Sequence, residues 1–328
     1  MPTDARFASD MARPHHPGIG AARGVARFLS SPRGSPLLDL ATRCVYNDTL
    51  RGPMLRAAKQ WAISALSSDS APRSWQRIER ERALMAVAML ETVDRLIGQR
   101  FLSRSLVRRV MQLWGQALAV LPEKQPACVR FMQENGCRPP WFIVIAPGRA
   151  CNQHCPGCYA DANSGSPVLP WDVLDRVISE ARELWGVPLI VLSGGEPLLY
   201  RSEGRDVLDA VEKHSDCMFL MFTNGTLIDR DVARRMARLA NLTPAISVEG
   251  LRADTDARRG EGAFDRVLQA IQNLREVGLP FGISATATQL NCDRIIPTGS
   301  LTFSAWSRAP CTSSFFTTRR SAAARRWI

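Results

Sequence analysis

The sequence predicts an α/β chain, a partial (β/α) TIM-type barrel preceded by an all-helical N-terminal region, and three observations carry that prediction. Apolar residues recur at three-to-four spacing in RALMAVAMLETVDRLIG (82–98) and SLVRRVMQLWGQALAVL (105–121), as on amphipathic helices. After Pro139-Pro140 the texture changes to short β-rich runs alternating with amphipathic segments, the pattern of βα units around a parallel sheet. Each strand candidate then ends in residues suited to chemistry rather than packing: APGRAC, SGGEP, TNG, SVEG and ATATQLN. The C-terminal strand edge is where parallel α/β folds build their sites.

The elements follow in order. Residues 1–36 mix Pro, Gly, Ser and Arg without periodicity and read as a disordered basic tail. Residues 37–135 form the helical region, and residues 139–294 the barrel. Strands are expected at WFIVIA (141–146), PLIVLS (188–193), CMFLMFT (217–223), PAISVE (244–249) and FGISATA (281–287). Helices are expected between them at 171–186, 205–214, 229–240 and 263–278. Residues 295–328 lack both periodicities and contain no acid, so they read as an aberrant or disordered basic tail.

Composition sets the class. A chain of 328 residues that is 45% hydrophobic can bury one sizeable core and a smaller accessory region. No apolar run approaches the roughly 20 residues of a membrane span, and the first residues lack the apolar centre of a secretory signal. A cytoplasmic location is expected. The net charge of +11 lies mostly at the ends: five Arg against Asp4 and Asp10 in residues 1–36, five Arg and no acid in residues 295–328. The nearly balanced middle argues against a nucleic-acid partner.

Six of the nine cysteines (Cys44, Cys128, Cys137, Cys217, Cys292 and Cys311) are scattered and read as buried or incidental thiols. The other three form Cys151-Asn-Gln-His-Cys155-Pro-Gly-Cys158, a CxxxCxxC spacing on the loop after the first strand. Three thiolates on one loop can ligate three irons of a cubane cluster and leave the fourth iron open. A zinc site with His154 as fourth ligand is the alternative.

With Gly194-Gly195-Glu196-Pro197 after the second strand, the stretch from Trp141 to Arg294 resembles the radical S-adenosylmethionine (SAM) superfamily, in which these two motifs follow the first two barrel strands. The resemblance implies a [4Fe-4S] cluster on Cys151, Cys155 and Cys158, with SAM chelating the open iron. It implies that the Gly194–Pro197 segment receives the methionine amino group. The glycines would let a ligand approach the backbone, and Glu196 would offer an acceptor; a plain turn into a helix is the simpler reading of the same residues. Asn224 and Ser247, at the ends of the third and fourth strands, become SAM contacts by the same comparison, although a turn and a helix cap would also account for them. Arg259, twelve residues past Ser247, stands where similar proteins place an arginine for the SAM carboxylate; its neighbour Arg258 and a solvated surface pair are the competing assignments. Many family members carry an aromatic residue just before the third cysteine, where this chain has Gly157. Either Tyr159 takes over that contact or the adenine is held otherwise.

The implied reaction is one-electron cleavage of SAM to methionine and a 5′-deoxyadenosyl radical that abstracts hydrogen from a substrate. A flavodoxin- or ferredoxin-like one-electron reductant would be a partner. The run from Pro244 to Gly260 is most similar to the peptide- and sulfatase-maturase branch, so the expected substrate is a peptide or protein, or else a small metabolite. The competing class is an iron–sulfur or zinc protein without turnover. The family barrel has six βα units and this chain offers five, so residues 295–328 are expected to be an out-of-frame or truncated end, or simply a short basic tail, and the chain's own activity is in question.

Overall fold

The computed structural model describes residues 35–66, 73–109, 111, 126–137, 139–162, 167–187, 189–286, 288 and 291. The expected tails lie almost wholly outside the described residues, as does most of the run 105–121.

Among the described residues four helices come first: α1 (Ser35–Val45), α2 (Asp48–Leu66), α3 (Arg73–Gly98) and α4 (Pro126–Asn135). Strands and helices then alternate: β1 (Phe142–Ile145), α5 (Trp171–Trp185), β2 (Leu189–Leu192), the short strands β3 (Arg201–Ser202) and β4 (Arg205–Asp206), α6 (Val207–Lys213), β5 (Met218–Thr223), α7 (Arg230–Leu239), β6 (Leu242–Ser247), α8 (Arg252–Arg259), α9 (Ala263–Glu276) and β7 (Gly282–Ser284). The main sheet has the order β1-β2-β5-β6-β7 and is parallel throughout. It is the open, partial barrel that the alternation predicts, with β1 and β7 at its edges.

The register divides the sheet into two faces. Ile145, Ile190, Leu192, Phe219, Met221 and Ile246 point one way and are buried under the helices. The opposite, concave face carries Phe142 and Val144, exposed by 48% and 59%. The N-terminal helices share the helix-side core, since Tyr46, Leu96, Ile97 and Leu106 belong to the same apolar cluster as Ile190 and Phe219. At Gly278, a Cβ would stand 2.8 Å from the Phe101 carbonyl oxygen, so the turn after α9 needs glycine to sit against that connection.

Helix ends follow their sequence signals. Asp229 caps α7 by accepting from the backbone N–H groups of Asp231 and Val232, and Gly186 ends α5 in the left-handed conformation. Asp206 and Asp209 form a reciprocal capping box that starts α6 at Val207, two residues later than expected, because Arg205 and Asp206 pair with β3 instead. The fourth barrel strand also differs from its predicted span, running Leu242–Ser247 rather than 244–249. Pro244 fits there because its missing N–H would face β7, and the β6–β7 ladder begins only at Ala245. The helix α8 is absent from the sequence-based expectations.

Candidate cofactor site at the C-terminal edge of the sheet

The loop after β2 runs alongside the segment that leads to the first cysteine. Beyond the strands, Ser193 N donates to Ile145 O (2.9 Å), Gly195 N to Gly148 O (3.1 Å) and Glu196 N to Ala150 O (2.8 Å). A Cβ on Gly195 would lie 2.2 Å from Ala150 O, and one on Gly194, whose φ is +104°, would lie 2.6 Å from Gly148 O. Both glycines are therefore required by backbone meeting backbone. The expectation that they clear room for a ligand is corrected on this point: the space a side chain would take is filled by residues 146–150.

The cysteine loop is stapled at its ends. Arg149 donates to the carbonyl oxygens of Ala160 (3.1 Å) and Asp161 (3.0 Å), closing the loop behind the three cysteines. Tyr159 bridges to the neighbouring loop: its hydroxyl is hydrogen-bonded to Ser193 Oγ (2.5 Å) and accepts from Gly194 N (3.0 Å), while the residue is 80% exposed. Cys151, Cys155 and Cys158 are half-buried free thiols, and burial pushes the Cys151 thiol above its ordinary range. His154 is exposed. Among the described residues no three His, Cys, Asp or Glu side chains converge closely enough to hold a single metal ion. Three unpaired thiols on one loop are a soft donor set suited to an iron–sulfur cluster, whose irons are spread over a cube.

Glu196 turns inward. It is 3% exposed, and its Oε1 accepts from Leu198 N (3.1 Å) and Thr223 Oγ1 (2.8 Å) while Oε2 accepts from Asn224 N (2.7 Å). Burial pushes its carboxyl upward, against three donors that favour the charged form. The expected open acceptor is thus a clamp joining the β2 loop to the end of β5. Pro197, the last residue of the motif, starts a single 3₁₀ turn. Asn224 extends the clamp to the cysteines: its Nδ2 donates to Asn152 Oδ1 (2.8 Å) and lies 3.8 Å from Cys151 Sγ. Its Oδ1 accepts from the backbone and hydroxyl of Thr226.

A second cluster sits at the ends of β6 and β7. Ser247 is half-buried opposite Ser284 in the ladder, and its hydroxyl has no hydrogen bond among the described residues. Glu249 is 1% exposed. Its Oε1 accepts from Arg258 Nη1 (2.7 Å) and from Arg259 Nε (2.9 Å) and Nη2 (2.5 Å), and its Oε2 accepts from Thr286 N (2.9 Å). Arg259, expected to face a ligand carboxylate, is here paired with a carboxylate of the protein itself, and so is Arg258. Arg258 Nε also reaches Pro156 O (3.4 Å), tying this cluster to the cysteine loop.

The structure thus gathers Cys151, Gly194, Gly195, Glu196 and Asn224 into one bonded network and places Arg259 in an adjoining one around Glu249; the Ser247 side chain is bonded to neither among the described residues. Sequence reasoning missed Glu249, Arg149 and Asn152. Glu249 had a signal, a carboxylate directly after an apolar strand; Arg149 and Asn152 had none beyond their nearness to the cysteines.

The segment that carries these networks is similar to known proteins. Residues 145–288 match the family model described as "Radical SAM superfamily". The chain is 32% identical over 156 residues to "Fe-coproporphyrin III synthase" of Methanosarcina barkeri, covering 45% of this chain and 37% of that protein. It is 31% identical over 166 residues to "Mycofactocin maturase MftC" of Mycolicibacterium smegmatis, covering 49% and 41%. Among solved structures, SuiB of Streptococcus suis bound to S-adenosylmethionine aligns with a TM-score of 0.42 at 23% identity, covering 51% of this chain and 39% of that one. The chain spans less than half the length of the first curated relatives it matches. Residues 145–288, which carry the cysteine loop and the Gly194–Pro197 turn, thus match a radical SAM domain, and the cofactors of that superfamily are a [4Fe-4S] cluster and S-adenosylmethionine.

Proposed function

We propose that Cys151, Cys155 and Cys158 hold the cluster, that SAM binds beside it along the Gly194–Pro197 segment, and that the pair cleaves SAM reductively to abstract hydrogen from a substrate. The observation that carries this reading is the bonded network in which Glu196 and Asn224 lock three successive strand ends around Cys151. When bound, the two cofactors supply the one-electron chemistry. The chain's residues hold and orient them. Gly194 and Gly195 present their carbonyl groups to the methionine amino group, those of Glu196 and Pro197 being taken by Leu199 N and Tyr200 N, and Ser247, whose hydroxyl has no partner among the described residues, meets SAM at the neighbouring strand end. Arg259 supplies positive charge near the SAM carboxylate while Glu249 fixes its direction.

Residues 139–294 are the catalytic unit in this reading and 37–135 a helical annex sharing its core. The half-open concave face, with Phe142 and Val144 exposed, favours a substrate with an apolar body. The relatives' names divide between porphyrin or heme formation and mycofactocin maturation, so a peptide and a small metabolite are the two substrate classes. A flavodoxin- or ferredoxin-like protein delivers the electron, in a cytoplasmic setting where thiols stay reduced.

Anaerobic reconstitution tests the proposal. About four iron and four sulfide per chain, with 5′-deoxyadenosine formed from SAM under reductant, is the expected result. One tightly bound zinc, or a cluster that never turns SAM over, would overturn it.

A further inference from the structure

Gln153 stands between the first two cysteines and is the one buried residue in the loop from Cys151 to Cys158, at 6% exposure. Its Nε2 is buried without a hydrogen-bond partner among the described residues. Leaving a buried donor unpaired costs about 1–3 kcal/mol, so an amide placed here calls for an acceptor. Its Oε1 lies 3.8 Å from Cys155 Sγ and accepts from the thiol. A thiolate on iron has no proton and only accepts. A half-turn of the terminal amide, which exchanges two atoms of nearly the same size, turns the donor to the sulfur.

On the reading that Cys155 is a cluster ligand, we propose that Gln153 donates an N–H···S hydrogen bond to the Cys155 sulfur and raises the reduction potential of the cluster. The amide of Asn224 approaches Cys151 Sγ at the same 3.8 Å with its donor nitrogen. Two of the three thiols thus have an amide side chain beside them, while Cys158 has no side-chain donor among the described residues. The direction of the effect follows from charge. Reduction adds an electron to the cluster, and a donor aimed at a ligand sulfur stabilises the more negative state. Gln153 acts through the cysteine it contacts and is a positioning residue.

The test is a redox titration followed by electron paramagnetic resonance on the reconstituted full chain and on Gln153→Leu, which keeps the bulk and removes the donor. The expected result is a more negative midpoint in the variant at unchanged iron and sulfide per chain. Equal midpoints with intact clusters overturn this proposal and leave the cluster assignment standing. A wild-type chain that takes up no cluster overturns that assignment, and this proposal with it. Pulsed resonance on the unmodified chain, with side-chain 15N-labelled glutamine, gives a second readout independent of any variant's folding. A weak 15N coupling to the reduced cluster is expected, and its absence overturns the proposal.

Discussion

The buried carboxylate of Glu196 accepts the backbone N–H of Asn224 at 2.7 Å across 28 residues of sequence, so the loop after β2 and the end of β5 share one hydrogen-bond centre. All of its partners are donors: Leu198 N, Thr223 Oγ1 and Asn224 N. Glu196→Gln would turn an N–H₂ group toward at least one of them. A loss of roughly 2–3 kcal/mol in stability is expected, measured as a lower urea midpoint at unchanged slope. An unaltered midpoint would show that the clamp carries no weight.

Glu249 pairs with two guanidinium groups whose side chains are only 19% and 11% exposed. Removing the carboxylate leaves both charges in a half-dry site, which typically costs about 3–5 kcal/mol. Glu249→Gln is therefore expected to unfold at markedly lower denaturant than wild type, with the amide of Thr286 losing its hydrogen-exchange protection first.

Two glycines of the site separate steric need from conformational need. Gly195→Ala would drive a Cβ into Ala150 O and is expected to cost roughly 3 kcal/mol or more, seen as a loss of iron per chain on reconstitution. Gly157, at φ +65°, has nothing within 4 Å of a would-be Cβ. Gly157→Ala is expected to cost only about 1 kcal/mol and to retain its iron.

Far from the site, His214 Nε2 lies 2.9 Å from Asp175 Oδ1, linking α6 to α5. Burial, its largest influence, lowers the His214 pKa below the ordinary 6.5 despite the nearby carboxylate. For Asp175 burial pushes up, but the bonds from Lys213 and His214 outweigh it and bring the carboxyl below 3.8. In both cases the unfolded chain binds protons before the folded one does, so stability falls as pH falls. The loss begins near pH 6.5 with the histidine and continues below 3.8 with the aspartate. His214→Gln is expected to flatten the thermal midpoint between pH 7 and 5; an unchanged slope there would refute the assignment.

The strands and their chemical ends were legible because each is an apolar run cut short by Gly, Pro or a polar triplet; packing trimmed four of them and moved the remaining one, Leu242–Ser247, two residues toward the N-terminus. What resisted reading was set by contacts distant in sequence. RADTDARR has no apolar stripe and became α8 through the fully buried Thr255, whose hydroxyl accepts from Glu249 N, and through the two arginines on that glutamate. The roles of Glu196 and Gly195 were misread for a related reason. A motif names the residues that meet at a site, but the direction in which each one points depends on the segment lying across from it, here residues 146–150 and the end of β5.

The hydrogen-bond ladder that outlasts β1 and β2 by three rungs, ending at Ala150, gives the cysteine loop an asymmetric stiffness. Cys151 inherits the rigidity of the sheet and is its fixed post. Cys155 and Cys158 belong to the arm that leaves it, latched by side chains alone: Arg149 on residues 160 and 161, Tyr159 on Ser193 and Gly194, and Arg258 on Pro156 O. Slow amide exchange just before the first cysteine and fast exchange around the other two would be the signature of such a hinged clasp, which closes around its cargo from one side.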